Sequence, residues 1–343
     1  MELHFTRTNG PVDNIIDELM TMAGPVCCHE LVREMILTAL KAGIEEAEEA
    51  DLKLMNSTLK EMRFTAKVFG PYRNIRKVTV FGSARTKPSE AIYQLAKITG
   101  KKLAEAGYMI ITGGGPGIMQ AANEGAGPES SFAVNIRLPF EQKPNPVVAG
   151  NPRSITFKYF FNRKVAFLKQ ASAIVLFPGG FGTLDEAMET LTLIQTGKHD
   201  PLPLILIDEP GGDYWTRWLQ YFRQELLEDG YIGESDFSLM ELVDSAERAI
   251  TIINRFYFRY HSLRYIDKQL VIRMTSELDE KAVSELNDKF RDSLIPQGTI
   301  RLSGPMPEEE DEPEIAHLPR LLLDFNRRDF GRLRSLVDAI NSY

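Results

Sequence analysis

Apolar residues over the first 68 positions recur at helical spacing and at no other. Leu31, Val32, Met35, Ile36, Ala39 and Leu40 follow one such stripe, and Leu52, Met55, Leu59 and Met62 another. Helix is expected from about 13 to 68, ended by Gly70-Pro71. From Arg76 the rhythm changes. Short β-branched-rich runs at 78–81, 109–112, 132–136, 174–177 and 204–207 alternate with helical patterns near 88–106, 116–125, 156–170, 183–196, 214–228 and 244–257. Near-continuous apolar strands, separated by helices, mark a parallel sheet covered on both faces. Beyond 260 the pattern reads as strand 270–274, helix 279–291, strand 299–302, strand 321–324 and helix 330–340. The expected architecture is α/β. It comprises a Rossmann-like doubly wound parallel sheet at 76–259, an N-terminal helical extension at 1–75, and a small C-terminal α+β appendage at 260–343.

Composition changes this picture little. A net charge of −8 over 343 residues argues against a general nucleic-acid or anionic-membrane binder, while leaving room for a cationic pocket. Cys27 and Cys28 are adjacent, with no CxxC or Cys/His ligand spacing, so a reducing cytoplasm is expected and no bound metal or cofactor. The first twenty residues carry Asp13, Asp17 and Glu18 and lack the apolar core of a signal peptide. The acidic cluster Glu45, Glu46, Glu48, Glu49 reads as a solvated helix face. The run Glu308, Glu309, Glu310, Asp311, Glu312, Glu314 reads as a solvated, mobile loop.

Candidate chemistry gathers at three glycine-rich turns, each after a predicted strand. They are Gly82-Ser83, Gly113-Gly114-Gly115-Pro116-Gly117, and Pro178-Gly179-Gly180-Phe181-Gly182-Thr183. In a parallel sheet those strand ends share one edge, where open α/β folds bind ligands. Each turn opens a helix, so free N–H groups and the positive dipole end converge there, and a phosphate is the natural guest. Neither G-x-G-x-x-G (position 118 is Ile118) nor a P-loop is present. Any single turn is also explained by tight strand–helix packing, and Thr183 with Glu186 makes a capping box without any ligand. The three glycines at 179, 180 and 182 are not explained that way, since flexible backbone costs stability. On the preceding helix Arg163 and Lys164 lie in or beside an apolar arc. They either snorkel out of it or reach an anion. The proline-rich 138–154 segment has the length of a binding loop.

The strings Val80-Phe81-Gly82-Ser83-Ala84-Arg85, Gly113–Met119, Asn162-Arg163-Lys164 and Pro178–Glu186 resemble the Lonely Guy (LOG) family, over about 76–257. The phrases Asn135–Gln142 and Thr192–Lys198 resemble its longer bacterial members. The resemblance implies hydrolysis of the N-glycosidic bond of a nucleoside 5′-monophosphate to free base and ribose 5-phosphate. It implies Arg163 and Glu186 as the catalytic pair, and an assembly of at least two copies with a second subunit bordering the pocket. The substrate would then lie against Gly82, Ser83, Gly114, Gly115, Asn135, Lys164, Gly179, Gly180, Gly182 and Thr183. One carboxylate rather than two leaves arginine to orient the substrate or to stabilise the leaving group. An older label of such sequences, lysine decarboxylase, fits poorly, because none of the five histidines is followed by the lysine that would carry a pyridoxal Schiff base. Two other readings are a non-catalytic carrier of a nucleotide or molybdenum cofactor, since such carriers resemble the same fold, and a regulatory protein that senses a second nucleotide. The nucleobase is left open.

Overall fold

The computed structural model describes residues 3–45, 48–139 and 143–343. Glu46 of the first acidic cluster, and Phe140, Glu141 and Gln142 of the 135–142 string, lie outside the described residues. The chain divides into two compact units, 1–64 and 65–343. In the first, α1 (Pro11–Ala23) and α2 (His29–Ile44) bury a small cluster of Leu3, Ile16, Met20 and Leu37. The long helix α3 (Glu49–Phe69) starts in this unit and ends in the second. No helix among the described residues is long and apolar enough to cross a membrane.

The second unit is built on strands β1 (Lys77–Phe81), β2 (Met109–Thr112), β3 (Ser131–Ile136), β4 (Ser154–Phe157), β5 (Ala173–Leu176), β6 (Leu204–Ile207) and β7 (Met240–Val243). They pair in parallel in the order β4-β3-β2-β1-β5-β6-β7. Chain order reverses between β1 and β5, where Phe81 pairs with Leu176, so the turns after these two strands lie side by side. Alternate strand residues serve opposite faces. Val78, Val80, Ile110 and Val175 pack with α4 (Ala91–Glu105), α5 (Ile118–Ala126) and α9 (Ala246–Phe256). Phe81, Ile111, Ile174 and Leu176 pack with α6 (Phe160–Gln170), α7 (Phe181–Gln195) and α8 (Tyr214–Tyr221). Both faces are thus covered, as the continuous apolar strands require.

Three strands depart from the sequence expectation. The helix expected over 156–170 begins only at Phe160, because Ser154–Phe157 pairs with β3 as an edge strand. β7 and β8 (Tyr260–Ile266) were hidden by their half-buried, mixed composition. Helix α8 also ends at Tyr221 and passes into one wide turn over Phe222–Leu227.

Beyond β8, strands β9 (Gln269–Met274), β10 (Ile300–Ser303) and β11 (Arg320–Leu323) complete an antiparallel sheet ordered β10-β11-β9-β8. Helices α10 (Glu280–Lys289) and α11 (Phe330–Ile340) cover it. Buried Arg334 ties α11 to β7 through Glu241 at 2.9 Å. The Asn341 carboxamide accepts from the Arg259 and Tyr260 amides.

The acidic run at 308–314 is not a free loop. Glu309 is buried, and its carboxylate accepts from Arg273 Nε at 2.7 Å and Arg320 Nε at 2.9 Å. Glu312 meets Arg264 and Arg273, and Asp311 meets Arg264. Charge density alone suggested solvation, but the partners come from β8, β9 and β11, distant in sequence. Burial by itself raises the Glu309 pKa, and the two guanidiniums overcome it and hold the group below its usual range. Glu309→Ala leaves buried Arg320 without a carboxylate and Arg273 with Glu312 alone, and is expected to lower unfolding free energy by about 3–5 kcal/mol in urea titrations.

Candidate active site

A cleft of about 1060 Å³ opens at the carboxyl ends of β1, β2, β3 and β5. All three glycine turns line it, with Asn135, Arg163 and Glu186. The site residues expected from sequence therefore converge, with one exception. Lys164 lines a neighbouring cavity of about 890 Å³ between α6 and α7, where its ammonium meets Asp185 at 2.9 Å and Glu189 at 3.5 Å. Successive residues on a helix point 100° apart, so Arg163 faces the sheet edge and Lys164 faces α7.

Helix α7 begins earlier than the capping-box reading supposes. Its N-cap is Gly180, and Thr183 already sits in the first turn, with the Thr183 and Leu184 amides donating to the Gly180 carbonyl. Glu186 is therefore not engaged in capping, and its side chain lines the cleft. It is 7% exposed, and its Oε2 has no hydrogen-bond partner among the described residues. Burial pushes its pKa up to about 7; Lys164 and Arg163 act against this, and Asp185 and Glu189 add to it. The remaining first-turn amides of α7 lack helical acceptors. A Cβ at Gly180 or Gly182 would meet nothing within 4 Å, so the backbone there is bare to the cleft.

Arg163 is held on three sides. Its Nε donates to the Val134 carbonyl at 2.9 Å, its guanidinium lies 5.0 Å from the Phe167 ring centroid, and Gly113 leaves room for its Nη2. Burial draws its pKa below the usual guanidinium value, and Glu186 opposes that shift. Asn135 Nδ2 is a second buried polar atom in the cleft without a partner among the described residues. An acceptor from Glu186 and a donor from Asn135 thus stand unsatisfied in one cleft, a condition that invites a polar ligand.

Sequence reasoning missed the groups that shape the turns. The Tyr214 hydroxyl donates to the Gly179 carbonyl at 2.7 Å. Under the second turn, Thr112, Asn123 and Asn145 form a buried network: Thr112 Oγ1 donates to Asn123 Oδ1, Asn145 Nδ2 to the Gly115 carbonyl, and the Asn145 amide to the Gly114 carbonyl. Gly114 and Gly117 sit at φ +70° and +67°, which favours glycine at both. Asn145 comes from the proline-rich 138–154 segment, whose Lys143 and Pro144 also line the cleft. The length of that segment was its only signal.

Fold and site together define a Rossmann-like protein with a glycine-lined cleft at the strand-order reversal. Residues 109–253 match the family profile described as "Possible lysine decarboxylase". Over 217 residues the chain is 26% identical to the cytokinin riboside 5′-monophosphate phosphoribohydrolase LOG of Oryza sativa subsp. japonica, covering 61% of this chain and 85% of that one. It is 26% identical over 171 residues to the cytokinin riboside 5′-monophosphate phosphoribohydrolase of Mycobacterium marinum, covering 49% and 87%. Among solved structures, the molybdenum cofactor carrier protein of Chlamydomonas reinhardtii aligns with a TM-score of 0.36 at 18% identity, over 53% of this chain and 97% of that one. The central part of the chain is thus similar to that profile and to the LOG phosphoribohydrolases.

Proposed function

We propose that the protein hydrolyses the N-glycosidic bond of a nucleoside 5′-monophosphate, giving free base and ribose 5-phosphate. The observation that carries this reading is Glu186: a buried carboxylate oxygen without a partner among the described residues, in a cleft floored by bare glycine backbone. The names of the relatives support the same chemistry. The amides from Gly179 to Gly182, with the Thr183 hydroxyl, would hold the 5′-phosphate at the α7 N-terminus. Anchoring that remote group fixes the anomeric carbon before Glu186. As the C–N bond breaks, positive charge grows on the ribose ring and the ionised carboxylate stabilises it. Glu186 also takes a proton from the attacking water, whose oxygen bonds to the anomeric carbon. The base departs with the bonding pair and takes up, through solvent, the equivalent of the proton that Glu186 removed from water, which returns the carboxylate to its starting state. Arg163 orients the substrate or the leaving base, and Asn135 donates to it. Lys164 acts one step removed, through Asp185 and Glu189.

Every residue lining the cleft falls between 81 and 186, so we assign the chemistry to the 76–259 segment and leave 1–75 and 260–343 to other work. A homodimer or larger assembly is part of the same proposal. The test is a chromatographic panel of nucleoside monophosphates with the purified protein. Release of free base with equimolar ribose 5-phosphate is expected from at least one, and intact nucleotides throughout would overturn the reading. A methyl at Gly113 would come within 2.5 Å of Arg163 Nη2 and 2.7 Å of Met119 Sδ. Both are ends of flexible side chains and can swing aside. Gly113→Ala is thus expected to keep the melting temperature while base release falls about 10–100-fold, since an ångström of misplacement is costly.

A further inference from the structure

The first unit is turned inside out for a self-contained structure. Among the described residues it holds thirteen of the twenty-five exposed large apolar side chains, in the first 64 residues. Helix α3 is the extreme case. No α3 side chain before Thr65 is buried, and Leu52, Met55 and Leu59 are 36%, 50% and 49% exposed. A solitary solvated helix is marginal in water, and apolar surface on this scale marks an interface.

The sequence of α3 says what fits there. Leu52, Met55, Leu59 and Met62 keep alternating spacings of three and four, the a/d seam of a two-stranded coil rather than the broad stripe of a core-facing helix. Charge is segregated along the same helix. At its start Glu48, Glu49 and Asp51 outnumber Lys53 by two, and towards its end Lys60, Arg63 and Lys67 outnumber Glu61 by two. A two-fold axis level with Ser57 sets Leu52 beside the copy's Met62 and Met55 beside its Leu59. The same axis brings each acidic start alongside a basic end. A parallel pair would set like against like.

We infer that α3 pairs antiparallel with α3 of a second copy of this chain, forming an isologous interface outside the catalytic segment. Light scattering on the full chain tests it, with circular dichroism to check helix content. Leu52→Glu with Leu59→Glu is expected to reduce the mass of the assembly to half or less. Glu49→Lys with Asp51→Lys should do the same, as should Lys60→Glu with Arg63→Glu. All four charge reversals in one chain restore complementarity and should restore the wild-type mass. A wild-type chain that is monomeric overturns the inference, as do charge variants that keep the wild-type mass. So does a four-fold reversal that stays dissociated. Tighter association after reversal of the acidic pair alone would point to parallel pairing and overturn it as well.

Discussion

Glu186→Gln is expected to cut base release from a nucleoside monophosphate by about 10³-fold or more while the fold persists. Glutamine preserves shape but can neither carry the charge that balances the ribosyl cation nor accept the proton from water. With a pKa near 7, the wild-type group is largely protonated at pH 6 and ionised at pH 8, so base release should rise with pH through about 7. Stability should move the other way. Between the unfolded carboxyl value and about 7 the native state binds the extra proton, so unfolding free energy falls as pH rises across that window. The shift of about 2.5 pH units corresponds to roughly 3 kcal/mol. Glu186→Gln removes the penalty, and the variant should melt above wild type at pH 8 and close to it at pH 5. An inactive variant with unchanged pH dependence of melting would place the unusual carboxyl elsewhere.

Arg163→Ala is expected to lower base release by about 10²–10³-fold, and Arg163→Lys to recover little of it. The guanidinium spans two tasks, since Nε holds the Val134 carbonyl while Nη2 reaches towards Gly113. An ammonium is a single point of charge and cannot serve both. Loss of the positive charge also removes one of the two influences that lower the Glu186 pKa. The residual activity of Arg163→Ala should therefore titrate at higher pH than wild type. A pH profile left in place, with only KM raised, would reduce Arg163 to a substrate clamp. Comparing kcat and KM across pH separates these outcomes.

Strands β1, β2, β3, β5 and β6 were legible because they are buried along most of their length, which leaves a mostly apolar, β-branched run. β4 and β7 sit at the sheet edges, where polar residues are tolerated and the run breaks, and β8 mixes arginine with tyrosine. The site followed the same logic. Backbone turns announce themselves through glycine, so their convergence could be read. The one-residue rotation that parts Arg163 from Lys164 depends on where α6 lies against the sheet, and spacing does not carry that. The α7 start was misread because Thr183-x-x-Glu186 satisfies a local rule, while Gly180, three residues earlier than expected, actually takes the cap. The Thr112–Asn123–Asn145 network and the Glu309 ion pairs join residues far apart in sequence, which no periodicity reveals.

One arrangement beneath the third turn gives the molecule its own optical probe. Its two tryptophans, Trp215 and Trp218, both lie on α8. The Trp215 indole donates to the Leu176 carbonyl at 2.9 Å, while its neighbour Tyr214 grips Gly179 three residues further along. Any tightening of that glycine backbone around an anion pulls on the indole's surroundings. Intrinsic emission should therefore report occupancy without a label, even in variants too crippled to turn over.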